Sequence, residues 1–287
     1  MDFIKSIFFG IIEGITEWLP ISSTGHMILL NELLPLRVGE SPEAFYELYE
    51  VVIQLGAILA VVILFWSSLW PFGKKNNNSP LRTEGIGAYI KKDIFVMWFH
   101  VVVSCIPAVI VGGLFDDVFE ELFYNYMTVA IMLILFGVLF ILIESRNSKK
   151  EFRVTDYMGI TYKDALIIGL FQVIAAVFPG TSRSGATIIG ALLIGVARSA
   201  AAEYTFFLAV PVMFGASFLK ILKYDGSFTS YELAVLGVGM IVAFIVSIVV
   251  IKFLLGYIKK HDFKVFGWYR IVLGAVVLIA GICGTIG

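Results

Sequence analysis

Long apolar segments recur along this chain of 287 residues, and short polar stretches separate them. Six of the segments run for about 20 residues or more with almost no charge, enough for a helix to cross a hydrocarbon core of roughly 30 Å. We therefore predict six transmembrane helices. They lie at about 48–70, 92–114, 121–144, 200–222, 231–256 and 266–286.

Two further apolar segments, 1–35 and 162–197, do not fit as single spans because each contains a proline in its middle. Pro20 and Pro179 remove a backbone donor and clash with the preceding helical turn, so a continuous helix through either residue is disfavoured. Each segment therefore predicts two short helices joined by a turn. We interpret both as re-entrant helical hairpins, because non-helical backbone at membrane depth must be buried in protein or line a cavity.

The loops between these elements sort by charge. Basic residues gather in loops 71–92, 145–163 and 257–265, whereas acidic residues dominate the intervening loops. The acidic residues are Glu40, Glu43, Glu47, Asp116, Asp117, Glu120, Glu121 and Asp225. Loops rich in Lys and Arg stay in the cytoplasm, so the basic loops are predicted inside and the acidic loops outside. The first hairpin then enters the membrane from outside and the second from inside.

This orientation predicts that the chain consists of two repeats of one structural unit. Residues 1–144 form a hairpin plus three spans, 145–161 a cytoplasmic linker, and 162–287 a second hairpin plus three spans of opposite orientation. The predicted fold class is an all-α, polytopic integral membrane protein with an inverted-topology repeat. Such repeats are typical of secondary transporters, with the site near the midplane between the repeats. The alternative is that two proline-broken helices merely resemble each other.

The composition agrees with a membrane protein, because 59% of the residues are hydrophobic, 15% are charged, and the mean hydropathy is +0.93. A soluble domain is nearer half apolar and a quarter charged. The net charge of -1, without a basic tail, gives no argument for a nucleic-acid partner. Membrane lipids are the expected surroundings, and a homodimer stays open.

Polar residues occur at matching places in the two hairpins. In the first hairpin Glu13 and Glu17 precede Pro20, and a hydroxyl cluster follows, made of Ser22, Ser23 and Thr24. The glutamates are four residues apart and so lie on one helix face. They indicate an oxygen-ligand site for Mg²⁺ or Ca²⁺, or a carboxylate tuned as a base. The alternative is a solvated pair near a helix end.

The hydroxyl cluster is expected to supply a cap for the helix that follows. The exposed N–H groups of the first turn of that helix form a ready anion site. His26 lies in this turn. Its nearness to two carboxylates and three hydroxyls favours a catalytic role.

The second hairpin carries a different set of polar residues after Pro179. They are Ser182, Arg183, Ser184 and Thr187, at the start of a predicted helix. Hydroxyls, N–H groups and a guanidinium at such a place form a phosphate cradle. Gln172 and Ala176 stand where the first hairpin has its glutamates. If the hairpin tips meet, the two loops combine into one site for a phosphorylated, lipidic substrate.

These motifs together closely resemble the bacitracin-resistance family of undecaprenyl-diphosphate phosphatases. The matching stretches are Glu13-x-x-x-Glu17, Ser22-Ser23-Thr24-Gly25-His26, Glu50-Val-Val-Ile-Gln54-Leu-Gly and Pro179-Gly-Thr-Ser182-Arg183-Ser184-Gly-Ala-Thr187. The resemblance implies a multi-pass enzyme of the bacterial plasma membrane that removes the terminal phosphate of undecaprenyl diphosphate. It also implies a divalent cation and an active site open to the external side. Recycling of the cell-wall carrier lipid and bacitracin resistance would follow.

The resemblance implies roles for the residues at the motif positions. Glu13 and Glu17 are the acidic pair, which we assign to catalysis and to the cation. His26, Ser22 and Ser23 are assigned to catalysis as well. Phosphate binding is assigned to Arg183, Ser182, Ser184, Thr187 and Thr24. Whether His26 is the nucleophile, or a general base toward water or a serine hydroxyl, stays open.

A transporter or flippase of a phosphorylated polyprenyl lipid is the alternative function, because inverted repeats with broken helices are transporter architecture. The carboxylates and Arg183 would then bind and couple rather than catalyse. A structural scaffold would leave the charged residues inside the membrane unexplained. Glu50, Gln54 and Glu203 are further polar residues in or near spans, and we treat them as candidates for support of the site.

Overall fold

The computed structural model describes residues 1–75, 77, 79–148, 150–224 and 228–284. Some positions used in the sequence predictions lie outside the described residues. They are loop residues 76, 78, 149 and 225–227, residues 285–287 of the second predicted repeat, and the side chains of Asp116, Asp117 and Glu120.

The described chain is built from α-helices, with short 3₁₀ helices at Gly85–Tyr89 and Tyr157–Gly159. In chain order the α-helices are α1 Asp2–Thr16, α2 Ser23–Leu33, α3 Pro42–Val52, α4 Gln54–Leu64, α5 Trp66–Leu69, α6 Lys92–Phe123, α7 Tyr126–Asn147, α8 Tyr162–Val177, α9 Arg183–Leu193, α10 Arg198–Lys223, α11 Ser230–Ile258 and α12 Lys264–Ile282. Six helical segments of the described chain are long and apolar enough to cross a membrane, which confirms the predicted polytopic all-α class.

Five of these segments agree with the predicted spans to within about five residues, and the first does not. The first span covers Pro42–Leu64 rather than 48–70, with an interruption at Ile53, and α5 follows it as a separate turn. Pro42 stands at the start of the helix, where its missing N–H is not needed. Hydropathy alone placed the start too late, because Glu43 and Glu47 lie in the first turns of this helix.

The two predicted hairpins are present as broken helix pairs. α1 and α8 end before Pro20 and Pro179, and α2 and α9 begin after them. The residues that precede α2 and α9 are Ser22 and Ser182, whose φ angles of 73° and 69° lie in the left-handed region. Serine rarely adopts this conformation, so both turns are held in a strained shape by their surroundings.

The matching conformation of Ser22 and Ser182 allows the two hairpins to be aligned at the starts of α2 and α9. The first residue of α2 is Ser23 and the first residue of α9 is Arg183, so these two positions correspond. The second turn holds one residue more between its proline and its cap. Gly180 stands in that turn with φ 86°, and a Cβ there would lie 2.6 Å from the carbonyl oxygen of Val129 on α7.

The first helix of each hairpin packs against the opposite half of the chain through a glycine. A Cβ on Gly10 of α1 would lie 2.6 Å from the carbonyl oxygen of Gly239 on α11. A Cβ on Gly169 of α8 would lie 2.5 Å from the carbonyl oxygen of Ser104 on α6. Gly10 and Gly169 therefore permit close contact between helix backbones.

Helices α7 and α12 meet through a reciprocal glycine contact. A Cβ on Gly137 would lie 2.7 Å from the carbonyl oxygen of Gly267, and a Cβ on Gly267 would lie 2.7 Å from that of Gly137. The reciprocal contact of α7 with α12 and the packing of α1 on α11 and of α8 on α6 each join the two halves of the chain, and the inverted repeat itself stays a prediction. The membrane sides from which the hairpins enter stay a prediction.

Two ion pairs stabilise the side of the protein that the loop charges predict to be cytoplasmic. The fully buried Glu144 of α7 accepts hydrogen bonds from Arg198 at 2.6 to 3.0 Å and from the Phe263 N–H at 3.1 Å. Arg153 of the linker donates to Asp164 of α8 at 2.6 Å. These contacts join α7 of the first half to α10 and to the loop before α12, and they join the linker to α8.

The Gly169 contact generates a test of the helix packing. We expect Gly169→Ala to push α8 away from α6, because the added methyl group meets backbone atoms that cannot move aside. The melting temperature in detergent should fall by roughly 5 °C. The control is Gly112→Ala on α6, where no atom lies within 4 Å of the added carbon. Equal melting temperatures for the two variants would contradict the proposed close packing.

Candidate active site

The two hairpin turns meet at a buried ion pair. Glu17, one residue after the end of α1, accepts a hydrogen bond at 2.7 Å from Nη2 of Arg183, the first residue of α9. Their side chains are 9% and 14% exposed. The structure thus brings together the acid of one hairpin and the cation of the other, as expected if the tips combine into one site.

Three serines surround this pair. Ser23 Oγ donates to Glu17 Oε2 over 3.4 Å, and Ser184 Oγ donates to the main-chain carbonyl of Glu17 at 3.1 Å. Ser182 Oγ accepts from the Gly185 N–H at 3.2 Å and so caps α9. Ser23 and Arg183, which occupy corresponding helix positions, therefore contact the two oxygens of the same carboxylate.

The other predicted hydroxyl residues have different surroundings. Ser22 occupies the N-cap position of α2, but its buried hydroxyl has no hydrogen-bond partner in the described structure. Thr24 is half-buried in the first turn of α2. Thr187 is buried, and its Oγ1 lies 2.9 Å from that of Thr205 on α10. Thr187 therefore joins α9 to α10 behind Arg183.

Glu13 lies one helical turn before Glu17 and is fully buried. Neither of its carboxylate oxygens has a hydrogen-bond partner in the described structure. Glu13 interacts electrostatically with Glu17, Glu50 and Arg183. A carboxylate in such a place requires a proton or a cation, because burying an uncompensated charge is very unfavourable.

The carboxylate pair fits a hydrated Mg²⁺ better than an ion held by protein ligands alone. Glu17 already accepts from Arg183, whereas Glu13 offers two oxygens. Among the residues that the structure describes, no group of three or more His, Cys, Asp or Glu is arranged to hold a metal. Mg²⁺ keeps several waters and binds through one or two carboxylates plus substrate phosphates, which this donor set allows.

His26 has a fixed orientation in the first turn of α2. Its Nδ1 lies 2.7 Å from the carbonyl oxygen of Ser22, and its Nε2 lies 2.7 Å from the hydroxyl of Tyr269 on α12. A carbonyl oxygen can only accept, so Nδ1 carries the hydrogen. Nε2 is then the nitrogen with a lone pair available for chemistry.

Arg270 is a residue of the site that the sequence predictions missed. It is fully buried on α12, and its Nη1 donates to the carbonyl of Pro20 at 3.2 Å in the first turn. Its Nη2 donates to the carbonyls of Gly180 and Thr181 at 3.0 and 2.8 Å in the second turn. One guanidinium therefore holds both hairpin turns.

A signal for Arg270 was present in the sequence, because an arginine within an apolar span is by default a candidate functional residue. Tyr269 carried no such signal, since tyrosines are common in membrane helices near the interface. Of the candidates for support, Glu50 interacts with Glu13, whereas Glu203 interacts with Asp156 and Lys259 near the linker. Glu203 therefore does not belong to the site.

Helix geometry adds positive potential to the region between the turns. α2 and α9 both begin there, directly after Ser22 and Ser182. The unpaired N–H groups of a helix start carry a partial positive charge and favour phosphate. Two helix starts, Arg183 and several hydroxyls together make a region suited to an anionic group with more than one phosphate.

Comparison with known proteins places these residues in a wider context. The chain matches the family model described as "Bacitracin resistance protein BacA" over residues 6–276, a range that contains all the predicted site residues. It is 59% identical over 279 residues to the undecaprenyl-diphosphatase of Desulfitobacterium hafniense, covering 97% of this chain and 96% of that protein. It is 60% identical over 279 residues to undecaprenyl-diphosphatase 1 of Clostridium acetobutylicum, covering 97% of both. Identity to an undecaprenyl-diphosphatase of Enterococcus faecalis is 58% over 279 residues, again covering 97% of both.

The contacts of Arg270 generate a test of the junction between the turns. We expect Arg270→Met to lower the melting temperature in detergent by roughly 10 °C, because four buried carbonyls, of Pro20, Met132, Gly180 and Thr181, lose their donor, at about 1–3 kcal/mol each. Arg270→Lys keeps the charge but not the fork of donors, so it should recover only part of the loss.

The matched control is Lys264→Met on the same helix, which removes only a partly exposed pair with Asp262. Exposed pairs contribute little, so this variant should melt within about 2 °C of the wild-type chain. An Arg270→Met variant as stable as the control would show that the turns do not depend on the guanidinium.

Proposed function

This chain belongs to the bacitracin resistance protein BacA family, and from this premise we propose that it hydrolyses undecaprenyl diphosphate to undecaprenyl phosphate and phosphate. The observation that carries the proposal is the buried Glu17–Arg183 pair between two helix starts. A guanidinium held inside an apolar chain at such a junction is suited to bind a phosphate delivered on a lipid.

Phosphate binding is proposed to begin at Arg183. The planar guanidinium matches two oxygens of a phosphate, and Glu17 holds it in position from the side of the first hairpin. Ser182, Ser184 and Thr24 are proposed to add hydroxyl donors, with the N–H groups at the starts of α2 and α9 beside them. Thr187 is proposed to add a further hydroxyl on this side of the site, and its contact with Thr205 joins α9 to α10.

Hydrolysis breaks the bond between the terminal phosphorus and the bridging oxygen, so that undecaprenyl phosphate leaves. In one route Nε2 of His26 takes a proton from a water that attacks the phosphorus. In another route Nε2 attacks the phosphorus itself, and water later releases the phosphate. In a third route Nε2 of His26 takes the proton of the Ser22 or Ser23 hydroxyl, whose oxygen attacks the phosphorus, and water later releases the phosphate from the serine. Arg183 and the helix starts stabilise the charge on the transferred group in all three.

We propose Glu13 and Glu17 as the carboxylates that hold a divalent cation. When bound, the cation supplies positive charge that offsets the charge of the diphosphate. The partnerless oxygens of Glu13 support this assignment. Mg²⁺ or Ca²⁺ has the preference for oxygen ligands that the pair requires.

The chain is a multi-pass membrane protein, and we propose the bacterial plasma membrane as its location. The loop charges support the proposal that the first hairpin, with Glu13, Glu17 and His26, opens to the external side. The product there would be the carrier lipid of cell-wall synthesis, and its recycling would confer bacitracin resistance. One chain supplies both hairpin turns, so a homodimer is not needed to complete the site and stays a prediction.

Phosphate release in detergent separates this function from its alternative. The purified chain should release phosphate from undecaprenyl diphosphate with no membrane to cross, and a chelator should stop the release. We expect Arg183→Ala and His26→Ala each to lower the rate at least about 100-fold, since each removes a group that acts on the reacting phosphate.

The control for these variants is Lys220→Ala, which removes a partly exposed ion pair with Glu47 and should leave the rate unchanged. Folded Arg183→Ala and His26→Ala variants with near wild-type rates would refute the assigned roles. A wild-type chain that binds the lipid but releases no phosphate with Mg²⁺ present would favour a transporter or flippase.

The assignment of Glu13 is tested without activity by thermal unfolding. Mg²⁺ should raise the melting temperature of the wild-type chain over that in chelator, because an ion that binds the folded state stabilises it. Glu13→Gln should abolish this difference while the chain stays folded, since α8 carries a buried glutamine at the corresponding position, Gln172. A Mg²⁺ effect of unchanged size in Glu13→Gln would remove Glu13 from the cation site.

A further inference from the structure

The hydroxyl of Tyr269 is hydrogen-bonded to Nε2 of His26, the ring nitrogen that is available for chemistry. The Oη atom lies 2.7 Å from Nε2, and the two rings are nearly parallel, at 8° with centroids 5.6 Å apart. The other ring nitrogen is 2.7 Å from the carbonyl oxygen of Ser22. The imidazole is therefore held at both nitrogens, by one residue of its own helix and one of α12.

The two hydrogen bonds together define one tautomer. The Ser22 carbonyl can only accept, so Nδ1 donates. Nε2 of the neutral ring then has a lone pair, to which the phenol O–H donates. In acid–base and nucleophilic sites, one nitrogen of the histidine ring often donates to a fixed acceptor. This hydrogen bond leaves the other ring nitrogen as the reactive one.

The position of Tyr269 is itself set by the junction of the hairpins. The next residue, Arg270, is fully buried and bonded to both turns, so the backbone of α12 is anchored at this point. The ring of Tyr269 is nevertheless 46% exposed, which leaves room for its hydroxyl to turn away. The phenol is therefore placed accurately in the free protein and is able to move when another group approaches Nε2.

We propose that Tyr269 is a positioning residue for His26. Its hydroxyl holds the imidazole in the Nδ1–H tautomer and fixes the direction in which Nε2 faces. When substrate binds, the hydroxyl moves away and the reacting group takes its place beside Nε2. This inference rests on the proposed function, because it assigns to Tyr269 a part in a reaction of His26. It predicts a loss in turnover without a comparable loss in substrate binding, since Arg183 and the helix starts hold the phosphates.

The first measurement compares Tyr269→Phe with a matched variant. Tyr269→Phe keeps the ring and deletes the hydroxyl, and we expect kcat to fall roughly tenfold with KM within about twofold. The control is Tyr231→Phe, because Tyr231 is also 46% exposed and its hydroxyl donates to Asp2 at 3.0 Å. The control should keep the wild-type kcat and KM.

The second measurement reports on the imidazole directly. The chain has three histidines, so the ¹⁵N resonances of His26 are identified by their absence in His26→Ala. In Tyr269→Phe the Nε2 resonance should move toward that of a nitrogen that accepts no hydrogen bond, while Nδ1 keeps its hydrogen. A residue with a merely structural role would leave both resonances in place.

The outcomes separate this inference from the function on which it rests. A lower kcat together with a displaced Nε2 resonance supports the positioning role. An unchanged or higher kcat in Tyr269→Phe, or a lower kcat with an unmoved Nε2 resonance, overturns it while wild-type phosphate release leaves the proposed function intact. A wild-type chain that releases no phosphate would overturn the proposed function instead.

Discussion

The rest of the site depends on one set of contacts, the hydrogen bonds from the buried guanidinium of Arg270 to both hairpin turns. In the described structure Arg270 donates only to main-chain carbonyls. These carbonyls belong to both hairpin turns and to α7. The donors of a guanidinium have fixed directions, so these carbonyls can be satisfied together only when the turns stand in one relative position. In that position Arg183 reaches Glu17, and the starts of α2 and α9 face the same region.

The glycine contacts impose the same relation from a distance. Gly10 and Gly169 let the first helix of each hairpin lie directly on a helix of the other half, at a distance that leaves no room for a Cβ atom. The two hairpins have similar turns but different polar residues. Glu13 corresponds to Gln172, and Ser23 corresponds to Arg183. The two hairpins therefore present an acid from one side and a cation from the other.

The sequence predicted most of this fold because membrane helices are marked by length, apolarity and loop charge, all of which are local properties. Pro20 and Pro179 marked the turns for an equally local reason. The start of the first span was wrong because Glu43 and Glu47 lie in turns that belong to the helix. Tyr269 was missed because its partner His26 is 243 residues away in sequence, and no local pattern marks such a contact. Arg270 was marked only as a charge within an apolar span, whereas its contacts with the two turns lie 89 to 250 residues away and could not be predicted.

The charges that the fold collects explain why a cation belongs in the proposed reaction. Glu17 and Arg183 largely neutralise each other, and the charge of Arg270 is directed to carbonyl dipoles rather than to the region between the turns. The buried carboxyl group of Glu13, whose oxygens have no hydrogen-bond partner in the described structure, would add a further negative charge when ionised. A diphosphate brings further negative charge to the same place, and like charges in a poorly solvated site repel strongly. Helix starts and hydroxyls carry only partial charges, so a divalent cation held by Glu13 and Glu17, as proposed, would supply the positive charge that offsets this repulsion.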